Sequence, residues 1–349
     1  MQNMQRVMKM LKYLEKLCSY RAPSGGETCV SEYIKSVIAP KCESVETDNL
    51  GNLIAFKKGA NRPKKTVQLD AHTDEVGVII TAINPDGTLN FATVGGINCE
   101  SLVSKRFRFG DTVGVVATKP IHLLSGDEKG KLPDKSSLQI DIGAADKAEA
   151  EQYVRVGDLG TFDTDYSAFG DGRILSRALD DRLGCAVLME LIDEDLPYDA
   201  YFTFSVQEEV GCRGAKADTF AVNPDFAIVL EATTAADIVG MPETKQVCKL
   251  GEGAAVSFMD SGTLYEKALY DEAFKAGNEL GIKVQPKAAP TGGNDAGAIH
   301  LTRDGVRTLA ISVPCRYLHS AAGVIDEGDA ECVLSLAREM YIRMASGEL

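Results

Sequence analysis

Histidine and carboxylate residues gather in five short segments of this chain, and each segment ends a strand-like run or opens a helix. LDAHTDEVG carries His72 and Asp74 after TVQLDA, and SVQEEVG carries Glu208 and Glu209 after YFTFSV. LEATTAAD places Glu231 directly after FAIVL, VPCRYLHS places His319 after TLAISV, and SRALDDRLG offers Asp180 and Asp181 at the turn into a helix. Two histidines and several carboxylates with no cysteine among them are the donor set of a hydrolytic Zn2+, Co2+ or Mn2+ site, whereas structural zinc sites lean on thiolates. Each segment alone has a blander explanation. His-x-Asp occurs in many cores, and Asp-Asp before a helix caps its free N–H groups and balances its dipole. Their joint placement argues for a site, because open α/β sheets bind ligands outside the carboxyl ends of their strands.

The adjacent Glu208 and Glu209 pose a narrower question. In extended chain, neighbours point to opposite sides, so the two carboxylates would serve two positions, and sequence order does not say which is a metal ligand. A glycosidase also uses paired carboxyl groups, about 5–9.5 Å apart, but has no need of His72 and His319, and its activity would survive a chelator.

The elements that must position these residues are apolar runs at LIAF (53–56), TVQLDA (66–71), YFTFSV (201–206), FAIVL (226–230) and TLAISV (308–313). Helical patterns separate them in the second half. DRLGCAVLMELI is nearly apolar on one side, and TLYEKALYDEAFKAGNEL ends at Gly281, so an α/β sheet with covering helices is expected. Ser24 and Glu27 have the S-x-x-E spacing of a capping box ahead of a further amphipathic helix. From about Glu75 to Phe162 the pattern changes to short β-like runs (VGVIITAI, TLNFATVG, TVGVVAT, SLQIDIG) with turns such as NPDG, which reads as a small β-rich domain inserted into the larger one.

Composition narrows the partners. The chain has 349 residues, 44% of them hydrophobic, enough for two domains or one large one with an insertion. With 37 basic and 51 acidic residues the formal net charge is −14, which repels nucleic-acid backbones and anionic lipid and favours a cation as guest. Nine scattered cysteines include no Cys-x-x-Cys pair and suit reduced thiols in the cytoplasm. The N-terminal MQNMQRVMKMLKYLEKL is amphipathic and lacks the long apolar run of a signal or anchor.

AHTDEVG, ALDDRLG, QEEVGCRGA, LEATTAADIVG, GGNDAGAIH and RYLHS, in that order over nearly the whole chain, resemble the M42 family of dinuclear metallo-aminopeptidases, the glutamyl and tetrahedral aminopeptidases among them. The resemblance implies an α/β fold: a central mixed sheet covered by helices, with an inserted β-barrel-like domain used in oligomer assembly. On this division residues 1–74 and 164–349 form the catalytic domain and 75–163 the insert. It further implies two divalent metal ions per subunit, Zn2+ or Co2+ with Mn2+ as a further candidate. His72 would bind one, His319 and Glu209 the other, and Asp180 would bridge them. Glu231 would complete the set at a position where aspartate is expected, with Asp237 as the alternative. Asp74 would steady the His72 ring and Glu208 would be the general base. Asn294, where threonine is expected, and Asp295 would lie near the substrate. His122 would be structural, and His300 would support the loop carrying Asn294 and Asp295.

The implied activity is release of N-terminal residues from short peptides by a cytoplasmic homo-oligomer, of dodecameric size. A carboxypeptidase or N-deacylase on the same scaffold, and a non-catalytic assembly subunit stabilised by metal, are the competing readings. Activity on blocked N-termini would mark the deacylase, and a replaced Glu208 the scaffold.

Overall fold

The computed structural model describes residues 2–127 and 129–349, with side chains from residue 5 onward. Eight strands form one mixed sheet in the spatial order Ser44–Thr47, Leu53–Lys57, Ala200–Ser205, Val67–His72, Phe226–Thr234, Arg307–Cys315, Ala254–Ser257 and Val284–Lys287. The middle four, Ala200–Ser205 to Arg307–Cys315, are mutually parallel, and antiparallel pairings flank them on both sides. A parallel sheet needs cover on both faces, so its strands are buried along their length, polar Gln68 and Asp70 included. All six residues of Val67–His72 are buried.

Alternate residues of one strand feed different cores, as the pleat requires. Phe226, Ile228 and Leu230 join the large core under helices Gln2–Ser19, Leu179–Asp193 and Glu327–Ser346. Ala227 and Val229 pack on the other face with Ala215, Ala296 and Ile299. Helix Leu179–Asp193, buried along nearly its whole length, is sandwiched between Gln2–Ser19 and the central strands.

Six short strands between residues 77 and 162 close into a barrel. It has its own core of Val78, Ile80, Leu89, Phe107, Phe109, Val116, Ile140 and Phe162. A Cβ at Gly160 would sit 2.5 Å from the Phe109 ring, so that wall of the barrel admits only glycine. The β-rich pattern from Glu75 to Phe162 thus corresponds to a closed structure with an interior of its own.

Two local expectations differ from what is observed, and one small sheet was not expected. Ser24 and Glu27 do not form a capping box: the helix is Thr28–Ile38, Glu27 is its N-cap without a side-chain bond, and the Ser24 hydroxyl donates to Asp74 Oδ2 at 2.6 Å. Glu27 instead accepts from the backbone N–H groups of Gly25 and Gln207. The strand beginning at Phe226 continues to Thr234, so Glu231 lies within it and not beyond its end. A three-stranded sheet of Ser167–Phe169, Arg173–Ser176 and Gly323–Asp326 carries no readable period, since its strands are only three or four residues long.

Candidate metal centre

The expected residues converge at the carboxyl edge of the parallel strands. His72 ends its strand, and its Nε2 lies 3.2 Å from Asp180 Oδ1 and 3.9 Å from Glu231 Oε2. His319 Nε2 lies 3.4 Å from the other Asp180 oxygen and 3.2 Å from Glu209 Oε2. Two three-residue groups, His72–Asp180–Glu231 and Asp180–Glu209–His319, therefore share Asp180, each with its ligand atoms within 4.8 Å of one another. Glu208 joins His72 and Glu209 in a third such group.

The two neighbouring aspartates divide their tasks. Asp181 Oδ1 accepts from Gly184 N at 2.9 Å and caps the helix, while Asp180 faces the histidines. Both have non-helical backbone angles, and the peptide between them is cis.

The glutamate pair is not in extended chain. Gln207 has positive φ, and Gly211 N and Cys212 N both close back on the Glu208 carbonyl, making a turn that carries both glutamates toward the histidines. Asp74 holds this turn. Its carboxylate accepts from Glu208 N at 3.0 Å, Glu209 N at 3.1 Å and the Ser24 hydroxyl, and it lies 3.5 Å from His72 Nδ1. Burial by itself would raise the Asp74 pKa, but these bonds outweigh it and hold the group below the usual carboxylate range.

Each imidazole is fixed through Nδ1, His72 by the Asp74 carbonyl at 3.2 Å and His319 by the Gly96 carbonyl at 3.0 Å. A neutral ring with its proton on Nδ1 presents the Nε2 lone pair to the carboxylate side, where a cation would sit. Gly96 belongs to the loop after barrel strand Leu89–Val94, so barrel and sheet meet at this ring.

The electrostatics show a site short of positive charge. Burial pushes Glu209 and Glu231 well above the ordinary carboxylate range and Glu208 up to about 8, with the Asp180 charge adding in each case. Burial would lower the histidines, yet Asp180 and the other carboxylates raise His319 to about 9 and His72 well above its normal value. Asp180 is driven down despite its burial by the two rings that face it. Among the described residues no lysine or arginine pairs with any of these carboxylates, and the buried Glu231 Oε1 has no partner. A divalent cation would relieve this crowding of carboxylates, and the all-nitrogen-and-oxygen donor set suits Zn2+, Co2+ or Mn2+.

The remaining expected residues fall in different places. Asp237 is held by Arg316 at 2.7 and 2.8 Å and accepts from Leu250 N, so its oxygens are engaged away from the histidines. A cavity of about 530 Å3 opens beside Asp180, Glu208, Glu209, Glu231 and His319, and Asn294 borders it. Asp295 does not line this cavity; it lies behind, accepting from the Ser205 hydroxyl at 2.7 Å, and burial raises its pKa to about 8. His300 bonds through Nδ1 to the Ala296 carbonyl within its own helical turn, and His122 is exposed in a short turn of the barrel. Ser24, Gly96, Cys212 and Lys287 also contribute to the site or its walls. Nothing in their types and spacing points to this site, since a hydroxyl, a main-chain carbonyl or a single lysine acquires its role only through the tertiary fold.

The match to known proteins is extensive. The profile of the family described as M42 glutamyl aminopeptidase matches residues 51–336. A putative aminopeptidase of Acetivibrio thermocellus is 36% identical over 95% of this chain and 98% of its own length. The lysyl aminopeptidase of Pyrococcus furiosus is 32% identical over 89% of this chain and 90% of its own, and the glutamyl aminopeptidase of Lactococcus lactis is 32% identical over 92% and 93%. Among solved structures, an aminopeptidase from Desulfurococcus kamchatkensis superposes with a TM-score of 0.92 at 31% identity, covering 98% of this chain and 96% of that one. The Pyrococcus horikoshii TET1 peptidase, which can assemble into a tetrahedron or a large octahedral shell, gives a TM-score of 0.82 at 30% identity over 94% and 98%.

Proposed function

This chain belongs to the M42 family of aminopeptidases, and on that premise we propose that it removes N-terminal residues from short peptides with two divalent metal ions and a glutamate base. The observation that carries the metal count is Asp180, whose two oxygens face different histidines. In this reading His72, Asp180 and Glu231 would hold one cation, and Asp180, Glu209 and His319 would hold the other. When bound, such a pair polarises the scissile carbonyl and makes a water molecule acidic enough to attack near neutral pH.

The protein supplies the rest. Glu208 takes the proton of the attacking water and delivers it to the departing amine, a task suited by a carboxyl group whose affinity for protons is raised by burial. Asp74 is a positioning residue: through two backbone N–H groups it sets the turn that aims Glu208 and Glu209, and it steadies the His72 ring. Asn294 borders the substrate cavity and Asp295 supports the segment from behind. The division into a catalytic part, residues 1–74 and 164–349, and an assembly part, residues 75–163, belongs to the same proposal. So do a homo-oligomer of dodecameric size and a cytoplasmic location. Among the described residues no helix is long and apolar enough to cross a membrane.

A panel of aminoacyl anilides tests this on metal-stripped protein refilled with Zn2+, Co2+ or Mn2+. Hydrolysis should vanish on stripping and return with at least one metal. Full activity after stripping would overturn the metal mechanism, and turnover confined to blocked N-termini would replace the aminopeptidase direction by a deacylase.

A further inference from the structure

Lys287 is the last residue of strand Val284–Lys287, at one edge of the sheet. It is 6% exposed, and it lines the same cavity as Asp180, Glu209 and His319. Among the described residues lining that cavity it is the one lysine or arginine. Its ammonium group makes no ion pair and no hydrogen bond with any described residue.

An ammonium group on the cavity wall with no anion beside it is open to an arriving carboxylate, which would gain a charge-assisted hydrogen bond there. The register locates it relative to the metal ligands. Glu231 pairs with Ser312, Ser312 with Ala255, and Ser257, two residues along, with Lys287. Lys287 thus lies three strands from Glu231, about 14 Å sideways at about 4.8 Å per strand. Ser312 stands between them, and the cavity wall also carries the neutral hydroxyls of Thr233 and Thr291.

We infer that Lys287 reads the side-chain carboxylate of an acidic N-terminal residue, so that glutamyl and aspartyl peptides are the substrate class; this rests on the aminopeptidase reading above. A basic N-terminal residue would set two cations together, and an aliphatic one would leave the ammonium unmatched, so selection acts by repulsion as well as attraction. The names of the relatives do not decide the matter, since one is a lysyl and another a glutamyl aminopeptidase. The carboxylate at a peptide's C-terminus has the same chemistry, and anilides, which lack it, separate the two sources.

The test uses metal-loaded, full-length protein with Glu-, Leu- and Lys-p-nitroanilide. The intact enzyme should prefer Glu, and Lys287→Met should reduce the Glu-to-Leu ratio of kcat/KM by roughly 30- to 1,000-fold, mainly through KM. Lys287→Arg should retain most of the preference. Equal losses on all three substrates, or a wild-type preference for Leu or Lys over Glu, would overturn the inference and leave the aminopeptidase reading standing. A Lys287→Met loss seen only when Leu-Ala is compared with Leu-Ala-amide would also overturn it, assigning the lysine to the peptide C-terminus. No turnover of any substrate with any metal would sink both.

Discussion

At the scale of single residues, the shared position of Asp180 makes its loss different from that of any other ligand. Asp180→Ala should empty both metal positions, whereas Glu231→Ala should leave one ion per subunit, as counted by elemental analysis of dialysed protein. Retention of two ions in Asp180→Ala would contradict the bridging role. Glu208 is expected to separate binding from chemistry. Glu208→Gln should keep two metals while kcat falls about 10²- to 10⁴-fold, the usual range for removal of a general base. Normal turnover by that variant would assign the proton transfer elsewhere.

Two contacts at the scale of elements decide how firmly the site is framed. Arg177 pairs with Glu75, at the entrance to the barrel, and donates to the carbonyls of Cys18 and Tyr20 at the end of helix Gln2–Ser19. Arg177→Met leaves Glu75 buried without its main partner, which should cost about 3–5 kcal/mol in denaturant unfolding. Replacing both residues by apolar ones should recover little of that loss, because the fully buried Arg182, 3.6 Å from Glu75, would then lose its carboxylate. The second contact is pH-sensitive. Glu190 faces helix Gln2–Ser19, and burial raises its pKa to about 7, with Lys9 opposing and Asp193 adding to the rise. A carboxyl group raised on folding holds its proton more tightly in the folded state, so its contribution is full below about pH 4.5 and declines as pH rises to about 7. Glu190→Gln should therefore raise Tm at pH 8 and not at pH 4. An equal gain at both values would remove the titration argument.

The same scale explains what was legible beforehand. His72 and His319 were readable because long buried strands leave mainly apolar runs whose ends can be located, and parallel strands bring those ends to one edge. The inserted β-rich segment stood out by its change of period. Ser24 carried a misleading signal, as the capping spacing is satisfied while the hydroxyl is used by Asp74. The turn that brings Glu208 and Glu209 to one side was hidden, because nothing in EEVG shows that Gln207 takes a positive φ. Lys287 sits on a four-residue strand, too short to show a period, so its burial emerges only when the sheet is assembled.

For the whole molecule, the proposed assembly role of the barrel can be examined by excision. Val78 pairs with Gly160, so the two ends of the insert are neighbours and a short linker can join them. A chain lacking residues 77–162 should sediment as a smaller species than the full protein. Unchanged size would place the assembly contacts on the sheet domain. Excision also takes away Gly96, whose carbonyl orients His319, so the shortened chain should bind its second metal more weakly even where it folds. That one main-chain contact also restricts how such a chain can be shuffled with a relative. The barrel is not a cassette to be exchanged at its two strand ends without consequence. A chimera keeps a properly aimed imidazole only if the donor insert presents a carbonyl at the same point, so workable crossovers inherit the loop around Gly96 together with the segment bearing His319.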